Sequence, residues 1–319
     1  MAAYHSVLGI ASGQMDIPTE ADAVCVMSPQ GRNGVGQVGD GTTTTPFLPA
    51  LVSDSGNWST LALGTAASCA TNSNGTLYCW GSNQYGQLGD NTTTNHATPT
   101  AAVASLAWTS VSLGAKAMCG VAGAPLAPPP QPVSPPAPPR YDAPNCWGTN
   151  SAGQFANGSA AGSRLTPTNV SSTVWQQFSL SDTTACAIQQ SVLALYCWGS
   201  DTDGLGSLGD GSAASHYMPL QVSGGGQWSS VFAGSGWGCG IRTNGSLNCW
   251  GYNGLGGLGD NTTTDSMVPV LIGSSTWASL PPCGYGGFFT CGIQSDSSLW
   301  CWVRQYASSD AGFCAYGQV

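Results

Sequence analysis

The sequence predicts an all-β protein assembled from one repeated hairpin unit, and three observations carry that prediction. Cysteine recurs beside tryptophan at Cys146-Trp147, Cys197-Trp198, Cys249-Trp250 and Cys301-Trp302, at spacings of 51, 52 and 52 residues. Such regularity marks a single supersecondary unit copied along a chain. In the cleanest copy, Cys69 to Asp90, Asn74-Gly75 separates two strand-favouring runs, and an Asn-Gly pair between such runs favours a hairpin because glycine enters a left-handed turn without a Cβ clash. The stretch GSNQYGQLGD over 81–90 follows, and its Gly, Asn and Gln content argues for a tight loop leaving the sheet rather than a helix.

Taken in order, residues 1–50 read as a degenerate first copy. Tyr4-His5-Ser6-Val7 resembles the openings at Trp58, Trp108, Trp228 and Trp277, and GRNGVGQVGD at 31–40 matches the loop fifty residues later. The Cys-Trp pair is absent there, and Cys25 is its one cysteine. The second copy opens at Trp58. The third opens at Trp108 and reaches Cys119, then is interrupted by residues 125–144, which hold ten of the chain's 20 prolines before Cys146 resumes the pattern. A run so dense in proline cannot donate ladder hydrogen bonds and favours a polyproline II spur projecting from the hairpin tip. It reads either as a tolerated surface insertion or as an adhesive or glycosylated spur. The fourth and fifth copies carry GLGSLGD at 204–210 and GLGGLGD at 254–260, whereas the sixth has Cys301-Trp302 but neither the LGD loop nor a Pro-x-Val strand after it.

The thirteen cysteines sort into five hairpin pairs: Cys69 with Cys79, Cys119 with Cys146, Cys186 with Cys197, Cys239 with Cys249, and Cys291 with Cys301. Asn74 lies midway between Cys69 and Cys79, so turn and cysteines support the same register. Metal knuckles would show C-x2-C spacing, which does not occur. Each bridge is worth roughly 2–3 kcal/mol through restriction of the unfolded chain, and an oxidising, extracellular compartment is expected. Cys25, Cys283 and Cys314 remain over, and an odd count means a free thiol or an intermolecular bond. The opening MAAYHSVLGIASGQ has neither a charged n-region nor a continuous apolar h-region, so a leader is expected to have been removed or to lie outside this sequence.

Composition excludes several classes. Six Lys and Arg against a net charge of −9 provide no basic patch to neutralise phosphates, so neither nucleic acid nor an acidic membrane surface is an expected partner. No apolar run approaches the roughly 18 residues that span a bilayer, and membrane insertion is not expected. His5, His96 and His216 have no repeated Ser or Cys partner, lie in dissimilar contexts and read as surface residues. No hydrolase triad, metal set or cofactor site emerges, and the chain is not expected to be an enzyme.

The pattern C-A/G-x-x-x-x-G-x-L-x-C-W-G-x-N-x-x-G-Q-L-G-D at a period near 51 resembles the repeat of the regulator of chromosome condensation family over nearly the whole chain. That resemblance implies a β-propeller with four-stranded antiparallel blades around a central axis, usually seven-bladed. Six copies favour six blades in one domain over 1–319, or seven if the two ends build an irregular one. Among members of the family are a guanine-nucleotide exchange factor that binds chromatin, other protein-binding propellers and a secreted inhibitor of β-lactamases. The absence of a basic tail and the oxidised character argue against the exchange factor, and function does not transfer with fold.

Asp40, Asp90, Asp210 and Asp260 recur in the LGD loop; one carboxylate per repeat reads as a turn acceptor rather than as part of a calcium ring. Trp80, Trp147, Trp198, Trp250 and Trp302 read as packing between blades rather than as a carbohydrate platform. Seven of the 15 asparagines, Asn57, Asn74, Asn91, Asn157, Asn169, Asn244 and Asn261, begin N-x-S/T acceptor sequons for covalent glycans. Asn74 and Asn244 also suit their turns without sugar, while Asn91 and Asn261 precede Thr runs; Thr42 to Thr45 form either an O-linked site or a polar loop. The expected function is a secreted, glycosylated structural or adhesive propeller of a matrix, cell wall or surface fibre, self-associating into a homo-oligomer or filament. The alternative is an extracellular module binding a protein or glycan, such as an inhibitor or receptor-like propeller.

Overall fold

The computed structural model describes residues 15–16, 33–46, 50–52, 57–103, 106–123, 144–201, 204–280 and 289–303. Cys25, Cys283, Cys314, His5 and residues 125–143 of the proline-rich stretch lie outside them. Regular structure among the described residues is entirely strand. The second repeat forms β2 (Trp58–Leu63), β3 (Ala67–Asn72), β4 (Leu77–Gly81) and β5 (His96–Ala101), with the short β1 (Met15–Asp16) paired antiparallel to β2. The third forms β6 (Ala107–Leu113), β7 (Ala117–Gly123), β8 (Pro144–Thr149) and β9 (Ser163–Asn169). The fourth forms β10 (Trp175–Leu180), β11 (Thr184–Gln189), β12 (Leu195–Gly199) and β13 (His216–Gln221). The fifth forms β14 (Trp228–Ala233), β15 (Trp237–Arg242), β16 (Ser246–Gly251) and the first half of β17 (Ser266–Ser279), whose second half opens the sixth with β18 (Phe289–Gln294) and β19 (Leu299–Val303).

Each blade is an antiparallel meander in chain order, and packing between sheets runs through first strands, β2 to β6, β6 to β10 and β10 to β14. First strands therefore face the hub and fourth strands the rim. Every first strand carries a register irregularity just after its opening Trp, at 58/60, 108/110, 175/177, 228/230 and 277/279, and a bulge there increases the local twist. Hydroxyls stitch the hub: Ser112 Oγ accepts from the Leu180 amide at 2.9 Å and Ser179 Oγ from the Ala233 amide at 2.9 Å.

The core sits between blades. Leu77 and Leu88 of the second repeat pack with Trp108, Met118 and Trp147 of the third, and Leu195 and Leu208 of the fourth with Trp228 and Trp250 of the fifth. Burying these side chains between neighbours is what a single repeat cannot do alone. The boundary of the proline-rich stretch shifts by one residue: Pro144 already belongs to β8, opposite Val121, at the first position of a strand, where proline is tolerated.

Candidate functional site

The hairpin register brings four cysteine pairs directly opposite one another in the blade interiors. Cys69–Cys79, Cys119–Cys146 and Cys186–Cys197 have Cα–Cα distances of 4.1 Å and Cys239–Cys249 of 4.0 Å, and all four are disulfides. Their side chains are fully buried. Cys291 and Cys301 face each other in the same backbone register; their side chains lie outside those described.

A second brace repeats between blades. The indole Nε1 of Trp80 donates to Gln37 O at 3.0 Å, Trp147 to Gln87 O at 2.7 Å, Trp198 to Gln154 O at 2.9 Å, Trp250 to Ser207 O at 3.1 Å and Trp302 to Gly257 O at 3.0 Å. Each Trp after a cysteine thus latches onto the loop of the preceding repeat, and a net gain of about 1 kcal/mol per bond adds to the packing. The acceptors are backbone carbonyls, which sequence patterns do not reveal.

Within each loop one buried amide organises the turn. The Oδ1 atoms of Asn33, Asn83, Asn150 and Asn253 accept from the amides of Val38, Leu88, Phe155 and Leu258 at 2.9–3.0 Å, and Asp201 takes this place in the fourth repeat. The recurring Trp-Gly-x-Asn spelled this role, which composition alone would not. The loop aspartates act as turn acceptors: Asp40, Asp90, Asp210 and Asp260 each accept from the backbone amide two residues on, at 2.8–3.0 Å. Partial burial pushes the Asp90 carboxyl up, but the Thr92 hydroxyl and amide, Asn83 and His96 together outweigh it and hold the group below the ordinary aspartate value.

The histidines correct the sequence reading in part. His96 and His216 occupy equivalent positions, six residues after the loop aspartate, and pair with it: His96 Nε2 to Asp90 Oδ2 at 2.7 Å, His216 Nε2 to Asp210 Oδ2 at 3.2 Å. The Ser212 hydroxyl lies 3.4 Å from that same His216 Nε2. Serine and carboxylate thus address one nitrogen, and no proton relay of the hydrolase kind is formed. Among the described residues no three His, Cys, Asp or Glu side chains converge as a metal site.

All seven sequon asparagines are exposed. Asn57, Asn74, Asn169 and Asn244 lie at the hairpin tips and the connections between blades, while Asn91, Asn157 and Asn261 lie on the Gly-rich loops of the opposite face. Asn91 and Asn261 adopt φ of 66° and 63° where other repeats carry Gly41, Gly158 and Gly211, so asparagine also has a backbone reason to stand there. Asn157 replaces the loop aspartate, its Oδ1 accepting from the Ser159 amide at 3.1 Å.

Blades of four antiparallel strands, joined by interblade tryptophans around a hub of first strands, define a β-propeller braced by disulfides. Models of the Regulator of chromosome condensation (RCC1) repeat match residues 74–120 and 58–87. Residues 58–120 thus carry RCC1-type repeats, and the blades share the β-propeller fold of solved RCC1 structures. The ultraviolet-B receptor UVR8 of Arabidopsis thaliana is 28% identical over 162 residues, 49% of this chain and 36% of the receptor, so the match spans about a third of that relative's length. Yeast RCC1 (Prp20), in its structure with Kap60, superposes with a TM-score of 0.67 at 14% identity, over 94% of this chain and 69% of that one. The ectodomain of the Physcomitrella patens receptor kinase CR4 gives 0.50 at 21% identity, over 83% and 56%.

Proposed function

We propose that this chain is a secreted, glycosylated structural or adhesive propeller that associates with copies of itself. The observation that carries the reading is where the polar and sulfur chemistry has gone. Four disulfides and five indole latches are spent on holding blades rigid, while all seven sequons face solvent. Disulfides of this number suit an oxidising compartment, and the similar fold of the CR4 ectodomain supplies a precedent for an extracellular setting. The net charge of −9 speaks against a chromatin partner. Mass spectrometry of native material, before and after reduction, tests it: hexose-rich additions on the sequons together with hairpin disulfides are expected. An unmodified chain with thirteen free thiols would overturn it.

A second reading, a binding module, is favoured by one feature of the rim. Met218 and Leu220 on β13 and Met267, Val268 and Leu271 on β17 are all exposed, on two adjacent blades whose counterparts carry Thr98-Pro99-Thr100 and Thr166-Pro167-Thr168. A saturable soluble partner lost on Met218→Asp would support this reading over the first.

A further inference from the structure

The third repeat departs from its neighbours at two linked positions. In the second and fourth repeats the loop aspartate pairs with the histidine that opens the outer strand, Asp90 with His96 at 2.7 Å and Asp210 with His216 at 3.2 Å. Sheet register identifies the counterpart of those histidines, since Gly81 lies opposite His96, Gly199 opposite His216 and Gly148 opposite Arg164. The third repeat therefore sets arginine in place of histidine and Asn157 in place of aspartate.

This exchange leaves a cation unanswered. The Arg164 guanidinium lies over the Phe155 ring at 5.0 Å, and its Nη1 is buried without an acceptor among the described residues. A buried donor left unpaired destabilises the fold and calls for an explanation. Asn157 supplies one. Its Oδ1 accepts from the Ser159 amide at 3.1 Å and from Asn150 Nδ2 at 3.2 Å, the same two bonds that Asp90 Oδ1 takes from the Thr92 amide and from Asn83 Nδ2. The second atom of the group is thereby placed as well: Asp90 Oδ2 turns to His96, and its equivalent in Asn157 is Nδ2. An amide nitrogen is a donor and cannot receive a guanidinium N–H.

We infer that Asn157 is a modification site, at which hydrolysis of the side-chain amide gives an aspartate that pairs with Arg164. Asn157 and the Gly158 after it are both exposed, and glycine has no Cβ to hinder attack by its own nitrogen on the asparagine side chain. The Gly158 nitrogen adds to Cγ of Asn157, the amide group leaves as ammonia with the Gly158 proton, and a cyclic succinimide closes. Water then breaks the new Cγ–N bond, returning a proton to Gly158 and leaving a carboxylate where the amide stood. Nδ2 has been exchanged for an oxygen that can accept from Arg164 in a charge-assisted pair. The Gly158 amide donates to Tyr217 O at 2.9 Å, so the reaction waits on the opening of that bond. Asn33 and Asn253 also precede glycine, but they are buried, with Oδ1 and Nδ2 both bonded inside their loops. A sugar on Nδ2 blocks its departure, so glycosylation and conversion are exclusive fates of Asn157, and conversion removes the Asn-Gly-Ser acceptor.

The test starts from a Ser159→Ala chain, which carries no N-linked sugar at Asn157 and keeps the amide at 159. Incubated warm at mildly alkaline pH with its disulfides intact, it is expected to gain the mass of an amide-to-acid change at residue 157. Cleavage there by an aspartate-specific protease marks the ordinary aspartyl product. Asn157→Asp is expected to raise the melting temperature by about 1–3 °C. That gain should vanish beside Arg164→Gln and shrink beside Arg164→Lys, whose point charge lacks the flat fork. Asn74→Asp, in an exposed hairpin turn, should give none. No conversion at 157, or an isoaspartyl product alone, overturns the modification site. An equal gain whatever stands at 164 overturns the pairing, and if Arg164→Gln fails to fold, Arg164→Lys still decides it.

Discussion

At the scale of single residues, the loop positions explain which substitutions the repeat tolerates. Gly89 and Gly259 have φ of 71° and 76°, and a Cβ on either would lie 2.9 Å from the indole of Trp147 or Trp302. The third repeat has Ala156 at this place with φ 55°, and Trp198 of the fourth still reaches Gln154 O at 2.9 Å. A Cβ is therefore strained but accommodated. Gly89→Ala is expected to cost about 1–2 kcal/mol, the penalty of a left-handed residue, and Gly89→Val distinctly more because a β-branched side chain resists positive φ; urea denaturation reads both. Asp90 gives a pH prediction. Its carboxyl is held below the ordinary aspartate value, so its contribution is present above the unfolded-state value and lost as pH falls through the folded-state value. Asp90→Asn should remove that part of the acid-side loss in a thermal melt series while leaving the fold intact, since Asn157 already performs the turn role in the third repeat. Equal acid sensitivity in both proteins would show that Asp90 is not a source of it.

At the scale of the hairpin, loop length orders the disulfides. Cys239–Cys249 spans 10 residues and Cys119–Cys146 spans 27, because the latter pair encloses the proline-rich stretch. Restriction of the unfolded chain grows with the logarithm of the loop, so replacing Cys119 and Cys146 by Ala should cost about 1 kcal/mol more than replacing Cys239 and Cys249. Shortening the enclosed segment to the length of the Asn72–Thr76 turn should abolish that difference. Equal losses at both lengths would assign the stabilisation to packing of the sulfurs. Hairpins of this kind were legible because Asn74-Gly75 and the cysteine spacing independently require one register, which β3 and β4 adopt with Cys69 opposite Cys79. The latches were legible only by half: five Trp at one position pointed to interblade packing, but their acceptors are main-chain atoms contributed alike by Gln87, Ser207 and Gly257. The pairing of His96 and His216 with the loop aspartates is not legible in their immediate neighbours, which differ; it rests on their shared six-residue distance from Asp90 and Asp210.

At the scale of the whole molecule, an array in which each repeat contacts mainly its neighbours has stability distributed along its length, with ends weaker than the middle. The interior of the third, fourth and fifth repeats is covered on both sides, whereas Leu299 and Trp300 of the sixth are largely exposed and Trp302 is less buried than the other four latch tryptophans. Hydrogen exchange at low protein concentration should therefore find amides of β7, β11 and β15 the slowest and those of β18 and β19 much faster. A difference of about 1.4 kcal/mol in local opening corresponds to tenfold in rate, so a loss of one covering interface is readily resolved. Raising the concentration should slow a localised set of amides if copies associate as proposed, because mass action stabilises only the element that a partner covers. Protection independent of concentration would count against self-association.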